Sequence, residues 1–128
     1  MKFQLTEHGV STEFDFGKLD ISGDAQYGFR PFQLMVASIV GCSTSVFRKI
    51  LVKQRIDIED IICEAEVKRN PNEANKIEEI MLTYYVKGQQ LKEEKLQKSL
   101  AIARKNCAMV RSVEDSITIN ETIIIVSK

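Results

Sequence analysis

Tryptophan is absent from the 128 residues, histidine occurs once, and prolines number two and cysteines three. One histidine and three scattered cysteines cannot supply the clustered ligands of a structural zinc site, so no metal is expected. Cys42, Cys63 and Cys107 are odd in number and widely spaced, a poor disulfide framework that suits a reducing compartment. With two prolines and no repeat or low-complexity tract, nothing marks a linker, and residues 1–128 read as a single domain. An excess of charge is missing as well. Eighteen basic residues balance eighteen acidic ones, which leaves no net field for a phosphate backbone or an anionic membrane. No basic patch interleaved with aromatics stands out, and no Gly-rich loop precedes Lys-Ser or Lys-Thr. Nucleic acid and membrane are therefore not expected as partners.

The N-terminus, Met1 to His8, lacks the apolar core of a signal peptide and reads as the start of a strand, so the expected location is cytoplasmic. The 17 residues from Pro31 to Phe47 carry no charge, but Gln33, Ser38, Ser43, Thr44 and Ser45 interrupt them and Arg48 and Lys49 follow. That run falls short of the roughly 20 apolar residues that a bilayer core requires. A buried helix is the expected form.

Apolar residues make up 44% of the chain, enough for a real core at this length. Lys2 to Glu7, Ser11 to Phe16 and Lys18 to Ile21, punctuated by His8-Gly9 and Gly17, predict a small meander. Pro31 suits the first turn of a helix of about 23 residues, apolar nearly all round in its N-terminal half and so expected at the centre of the fold. Period-two alternation predicts a strand over Ile58 to Val67 and another carrying Ile80, Leu82, Tyr84 and Val86 on one face. The turn material from Asn70 to Asn75 joins them as an antiparallel hairpin. Leu91 to Lys105 reads as a second helix, with Leu96, Leu100, Ala103 and, by extrapolation, Cys107 on one stripe, and Ser116 to Val126, rich in β-branched residues, closes the chain as a strand. The class is α+β.

Cys42 sits among small residues, after Gly41 and before Ser43, Thr44 and Ser45, which leave room for something to approach a thiol. The competing reading is a small apolar side chain packed in a core. Three turns into its helix, Cys42 gains little from that helix's own dipole, so any activation is expected from a neighbouring cation. Cys107 has Arg104 at i−3 and Arg111 at i+4 if the helix runs through it; solvated surface arginines are the alternative. Cys63, between Ile61 and Ala65 on a strand face, reads as core. His8 reads as a surface or packing residue rather than the base of a Cys-His pair.

The segment from Arg30 to Cys42, RPFQLMVASIVGC, resembles the proline, apolar helix and Gly-Cys signature of the OsmC/Ohr family, the osmotically induced and organic hydroperoxide resistance proteins. Asn106 to Val113, NCAMVRSV, is similar to that family's second cysteine segment. The resemblance spans nearly the whole chain. It implies an intertwined homodimer with long central helices between sheets and active sites at the interface. It also implies roles: Cys42 attacks the O–O bond of a hydroperoxide, Cys107 resolves the sulfenic acid as a disulfide, and an external dithiol reductant restores both without metal or organic cofactor.

The chain departs from the family pattern where peroxidases carry a glutamate just after the helix proline and an arginine in the N-terminal strands. Phe32 and Gln33 stand at the acid's place, and the first 29 residues hold no arginine. Arg30 or Arg111 could serve as the cation and Gln33 could hold a peroxide. Without a cation, Cys42 is expected near the ordinary thiol pKa of about 8.5, which makes a slow peroxidase. The alternatives are a dimeric protein that binds a small apolar ligand without turnover, and a redox sensor using the same thiols.

Overall fold

The computed structural model describes residues 1–126. They fall into two compact units, Met1–Ala37 and Ser38–Lys128. The first is the expected meander: β1 (Gln4–Leu5), β2 (Val10–Glu13) and β3 (Lys18–Ile21) pair antiparallel in chain order. Phe14 and Gly17 exchange both backbone hydrogen bonds, leaving Asp15 and Phe16 as a two-residue tip. Gly9 is required where it stands, because a Cβ there would lie 2.0 Å from the Ile21 carbonyl oxygen. His8 stacks on Tyr27 with ring centroids 3.6 Å apart, the packing role expected of it.

Helix α1 (Pro31–Lys53) starts where proline suits it, since the first helical residue has no intrahelical acceptor for its N–H. The Arg30 carbonyl closes the first turn by accepting from Leu34 N–H at 3.0 Å. At the other end Arg55, at φ 56°, lets Ile56 N–H reach back to the Leu51 carbonyl. By length and mean hydropathy of 1.5 over 18 residues, α1 could cross a membrane. Its buried residues, Ile39, Ser43, Phe47 and Leu51, form a single stripe at four-residue intervals. Within one chain α1 turns that stripe to one sheet face, and Gly41, Ser45 and Val52 stay exposed.

In the second unit β4 (Asp60–Asn70) and β5 (Lys76–Lys87) make the expected hairpin, with a bulge between Lys68 and Arg69. Helices α2 (Glu93–Asn106) and α3 (Ala108–Val113) then cross over to β6 (Thr118–Val126), which pairs with β5 in parallel. A crossover of this kind is what parallel pairing requires. Register places Cys63, Tyr84 and Ile123 in one row and Ala65, Leu82 and Glu121 in the next, all on the inner face. Ile80, Leu82, Tyr84 and Val86 from β5, Phe47 and Leu51 from α1, and Leu96, Leu100 and Ala103 from α2 are all buried and make up much of the core. The Phe47 and Tyr84 rings meet edge to face, 5.5 Å apart.

Candidate functional site

The second helix does not run through Cys107. Its last residue is Asn106, whose side-chain amide donates to the Ile102 carbonyl. Cys107 is extended, at φ −88° and ψ 106°, and α3 begins at the next residue. The break turns the Cys107 side chain fully inward and leaves the first N–H groups of α3 without intrahelical acceptors.

Those N–H groups meet Cys42, which is partly exposed on α1. The backbone N–H of Met109, the Cys107 thiol and the backbone N–H of Ala108 all hydrogen-bond to its sulfur, and Lys49 adds a favourable charge. Led by the Met109 donor, these outweigh burial and hold the Cys42 thiol below its ordinary value. Cys107 moves the other way. Burial first, then the bond it donates to Cys42 and the negative charge there, push its thiol up. The two thiols are thus shifted in opposite directions.

This revises the electrostatic expectation. A helix terminus does act on Cys42, but it belongs to α3 rather than α1. The cation is Lys49, at i+7 on the same helix, a spacing visible in sequence but not weighed there. Arg111 is engaged by Glu114 at 2.8 Å and by the Lys105 carbonyl. Arg104 turns away from Cys107 to the Ile119 carbonyl at 2.6 Å and to Glu121 at 3.3 Å. Arg30 and Gln33 lie in the first unit, with the Arg30 guanidinium 4.7 Å from the Phe32 ring centroid.

The small residues after Cys42 have a different use from the one expected. Ser43 is fully buried and shares a 2.5 Å hydrogen bond with the Tyr84 hydroxyl, and it donates to Glu121 at 3.3 Å. Cys63 is half-buried rather than core. Burial pushes its thiol up, against hydrogen bonds from Tyr84 and Thr44. The Thr44 hydroxyl is buried near both without a well-formed bond of its own. Burial also raises Glu121 despite the Arg104 charge, and raises Tyr84. Glu121 is the residue that sequence reading passed over; its signal is an acid on the inward face of β6, among the otherwise aliphatic Ile119, Ile123 and Ile125.

The shifts predict pH behaviour of opposite sign at the two thiols. Alkylation of Cys42 by iodoacetamide is expected to have its midpoint below that of an ordinary thiol, and that of Cys107 above it. In stability terms, the lowered Cys42 contributes above its unfolded pKa and loses that contribution as pH falls through its folded value. The raised Cys107 contributes below its unfolded pKa and loses it as pH rises through its folded one. Mass-spectrometric alkylation profiles between pH 5 and about 10 check both thiols.

The fold is α+β and sets a lowered thiol beside a raised one. The chain belongs to the family of OsmC-like proteins, whose model matches residues 22–122. It is similar in structure to a hypothetical protein from Aquifex aeolicus, at 22% identity and TM-score 0.87, covering 99% of this chain and 95% of that one. An OsmC-like protein from Mycoplasma pneumoniae aligns at 14% identity and TM-score 0.85, over 98% and 94% of the two chains. An organic hydroperoxide resistance protein OsmC from Legionella pneumophila aligns at 18% identity and TM-score 0.73, over 95% and 93%. No curated protein matches the sequence.

Proposed function

We propose that the protein is a thiol peroxidase acting on organic hydroperoxides or hydrogen peroxide, with Cys42 as the attacking thiol and Cys107 as the resolving one. The observation that supports it most is the opposed poise of the two sulfurs, because only the thiolate attacks a peroxide. Cys42 thiolate attacks the terminal oxygen of ROOH, giving Cys42 sulfenic acid and an alkoxide that takes a proton and leaves as ROH. Cys107 then attacks the sulfenic sulfur. A Cys42–Cys107 disulfide forms, and the Cys107 proton leaves with the hydroxide as water. An external dithiol reduces the disulfide and becomes oxidised itself. The cycle needs neither metal nor organic cofactor and suits a reducing cytoplasm. That a structural relative from Legionella pneumophila is an organic hydroperoxide resistance protein agrees with this reading.

The working form in this reading is a homodimer. Gly41, Ser45 and Val52 on α1, and the inner face of β4 where Ala65 is exposed and Ile61 and Val67 are half-covered, call for a second copy as cover. Light scattering at micromolar concentration reads it directly, and a protomer mass would contradict it. The peroxidase reading is tested by adding one equivalent of cumene hydroperoxide to the reduced protein at neutral pH. Mass spectrometry is expected to find a Cys42–Cys107 disulfide; finding neither that bond nor a Cys42 sulfenic acid refutes the reading.

A further inference from the structure

Glu121 occupies a position where chemistry alone would place an aliphatic residue. It lies on the inner face of β6 between Ile119 and Ile123, opposite Leu82, and its side chain is 5% exposed. A buried ion pair is seldom worth more to stability than well-packed hydrophobic residues of similar volume. The acid therefore calls for an explanation other than stability, and its partners suggest one.

One carboxylate oxygen, Oε2, accepts from Ser43 on α1, the residue next to Cys42. The other, Oε1, faces the Arg104 guanidinium on α2 at 3.3 Å. Arg104 in turn reaches Cys107 through its own backbone: its carbonyl accepts the Cys107 N–H at 3.3 Å, and its Nη1 is also held by the Ile119 carbonyl. The Tyr84 hydroxyl on β5 fixes Ser43 from the other side. A single side chain on β6 is thus bonded to both segments that carry the paired thiols. Those segments are 65 residues apart in sequence.

We propose that Glu121 is a positioning residue for the thiol pair, a brace that holds the Cys42 segment of α1 against the Cys107–Met109 segment at the start of α3 by gripping Ser43 and Arg104 together. The inference takes from the reading above only that Cys42 and Cys107 work as a pair. The groups facing Glu121 are Ser43 from α1, Tyr84 from β5, Arg104 from α2 and the Cys63 thiol from β4. Those acting on Cys42 are Lys49, Cys107 and the Ala108 and Met109 N–H groups. Slackening the brace lengthens the approach of the N–H donors to the Cys42 sulfur, so the thiol loses their stabilisation while Lys49 stays where it is.

The test is the pH midpoint of Cys42 alkylation in the full-length protein and in folded variants. Glu121→Leu and Arg104→Met are each expected to raise the midpoint by about 0.5–1 unit, the scale of one weakened hydrogen bond to a thiolate. Glu121→Gln is expected to stay near the wild type. Its amide oxygen can accept from Arg104 and its NH2 can donate to Ser43, whose proton then goes to Tyr84. Where Glu121→Leu fails to fold, Arg104→Met and the smaller change Ser43→Ala carry the test, the last with a smaller rise of the same sign. A merely structural role lowers the melting temperature and leaves the midpoint alone. Folded variants that titrate within about 0.2 unit of wild type overturn the proposal. Wild type that titrates low but consumes no hydroperoxide refutes the peroxidase reading and leaves the brace standing.

Discussion

Replacing Cys42 with serine is expected to reduce hydroperoxide consumption to the rate of buffer alone. Serine keeps the shape and the approach of the Met109 and Ala108 donors, but its hydroxyl stays protonated at any pH the fold survives, and a neutral alcohol does not attack a peroxide bond. Cys107→Ser is expected to behave differently, consuming about one equivalent and then stopping with Cys42 as sulfenic acid, because the second thiol enters only at resolution. A dimedone adduct at Cys42 in that variant distinguishes arrest from inertness. Cys63→Ser is the control, since that thiol is pushed up by burial and faces Tyr84 and Thr44 rather than the pair. In wild type the rate should rise with pH through the lowered Cys42 value and level off at a lower pH than an ordinary thiol would give. Turnover that survives Cys42→Ser, with a competent thiol elsewhere, would remove the assignment.

The second large effect is on stability. Phe47 is wholly buried on the α1 stripe, and its ring meets the edge or face of Tyr84, whose hydroxyl binds Ser43. Phe47→Ala leaves a cavity between helix and sheet, at a cost of about 3–5 kcal/mol. For a chain of this size that corresponds to a fall of roughly 10–20 °C in melting temperature. Phe47→Leu should retain most of the stability, losing on the order of 1.5 kcal/mol or less. Urea unfolding reads both, and a Phe47→Ala midpoint equal to wild type would mean that α1 does not rely on this contact.

Much of the fold was legible because its signals are local. Proline opens α1 at Pro31, alternation marks β4 and β5, and the stripe of Leu96, Leu100 and Ala103 is buried as its spacing requires. The parallel pairing of β6 was not legible, since strand direction depends on a crossover rather than on the composition of the strand. The end of α2 at Asn106 falls one residue past the expected Lys105, but the extrapolation of its stripe through Cys107 as helix fails for a related reason. An apolar stripe continues to Cys107 whether the chain stays helical or straightens for one residue.

The site divides along the same line. Cys42 and Cys107 were identified by their surrounding motifs, and the structure does bring them together. Their electrostatics depend on contacts distant in sequence: α3 N–H groups on a thiol in α1, and a β6 carboxylate on a serine that looked merely small. The arginines nearest by helical spacing were the natural candidates. Arg111 is instead neutralised by Glu114 three residues on, and Arg104 by an acid in the last strand.

Cys107 is the only residue between α2 and α3, and its two backbone polar groups are committed to opposite sides. Its N–H bonds the Arg104 carbonyl on the α2 side, and its carbonyl accepts from Arg111 on the α3 side. The φ and ψ bonds lie between those anchors, so a rotation about either leaves both hydrogen bonds made. The sulfur hangs from the Cα that these torsions share. The placing of that sulfur against Cys42 is therefore set at a single residue, by these two torsions and its own Cα–Cβ bond. In the proposed cycle, closing a bond between the thiols then falls to rotations at one residue that lies outside the hydrogen-bond ladders of both helices.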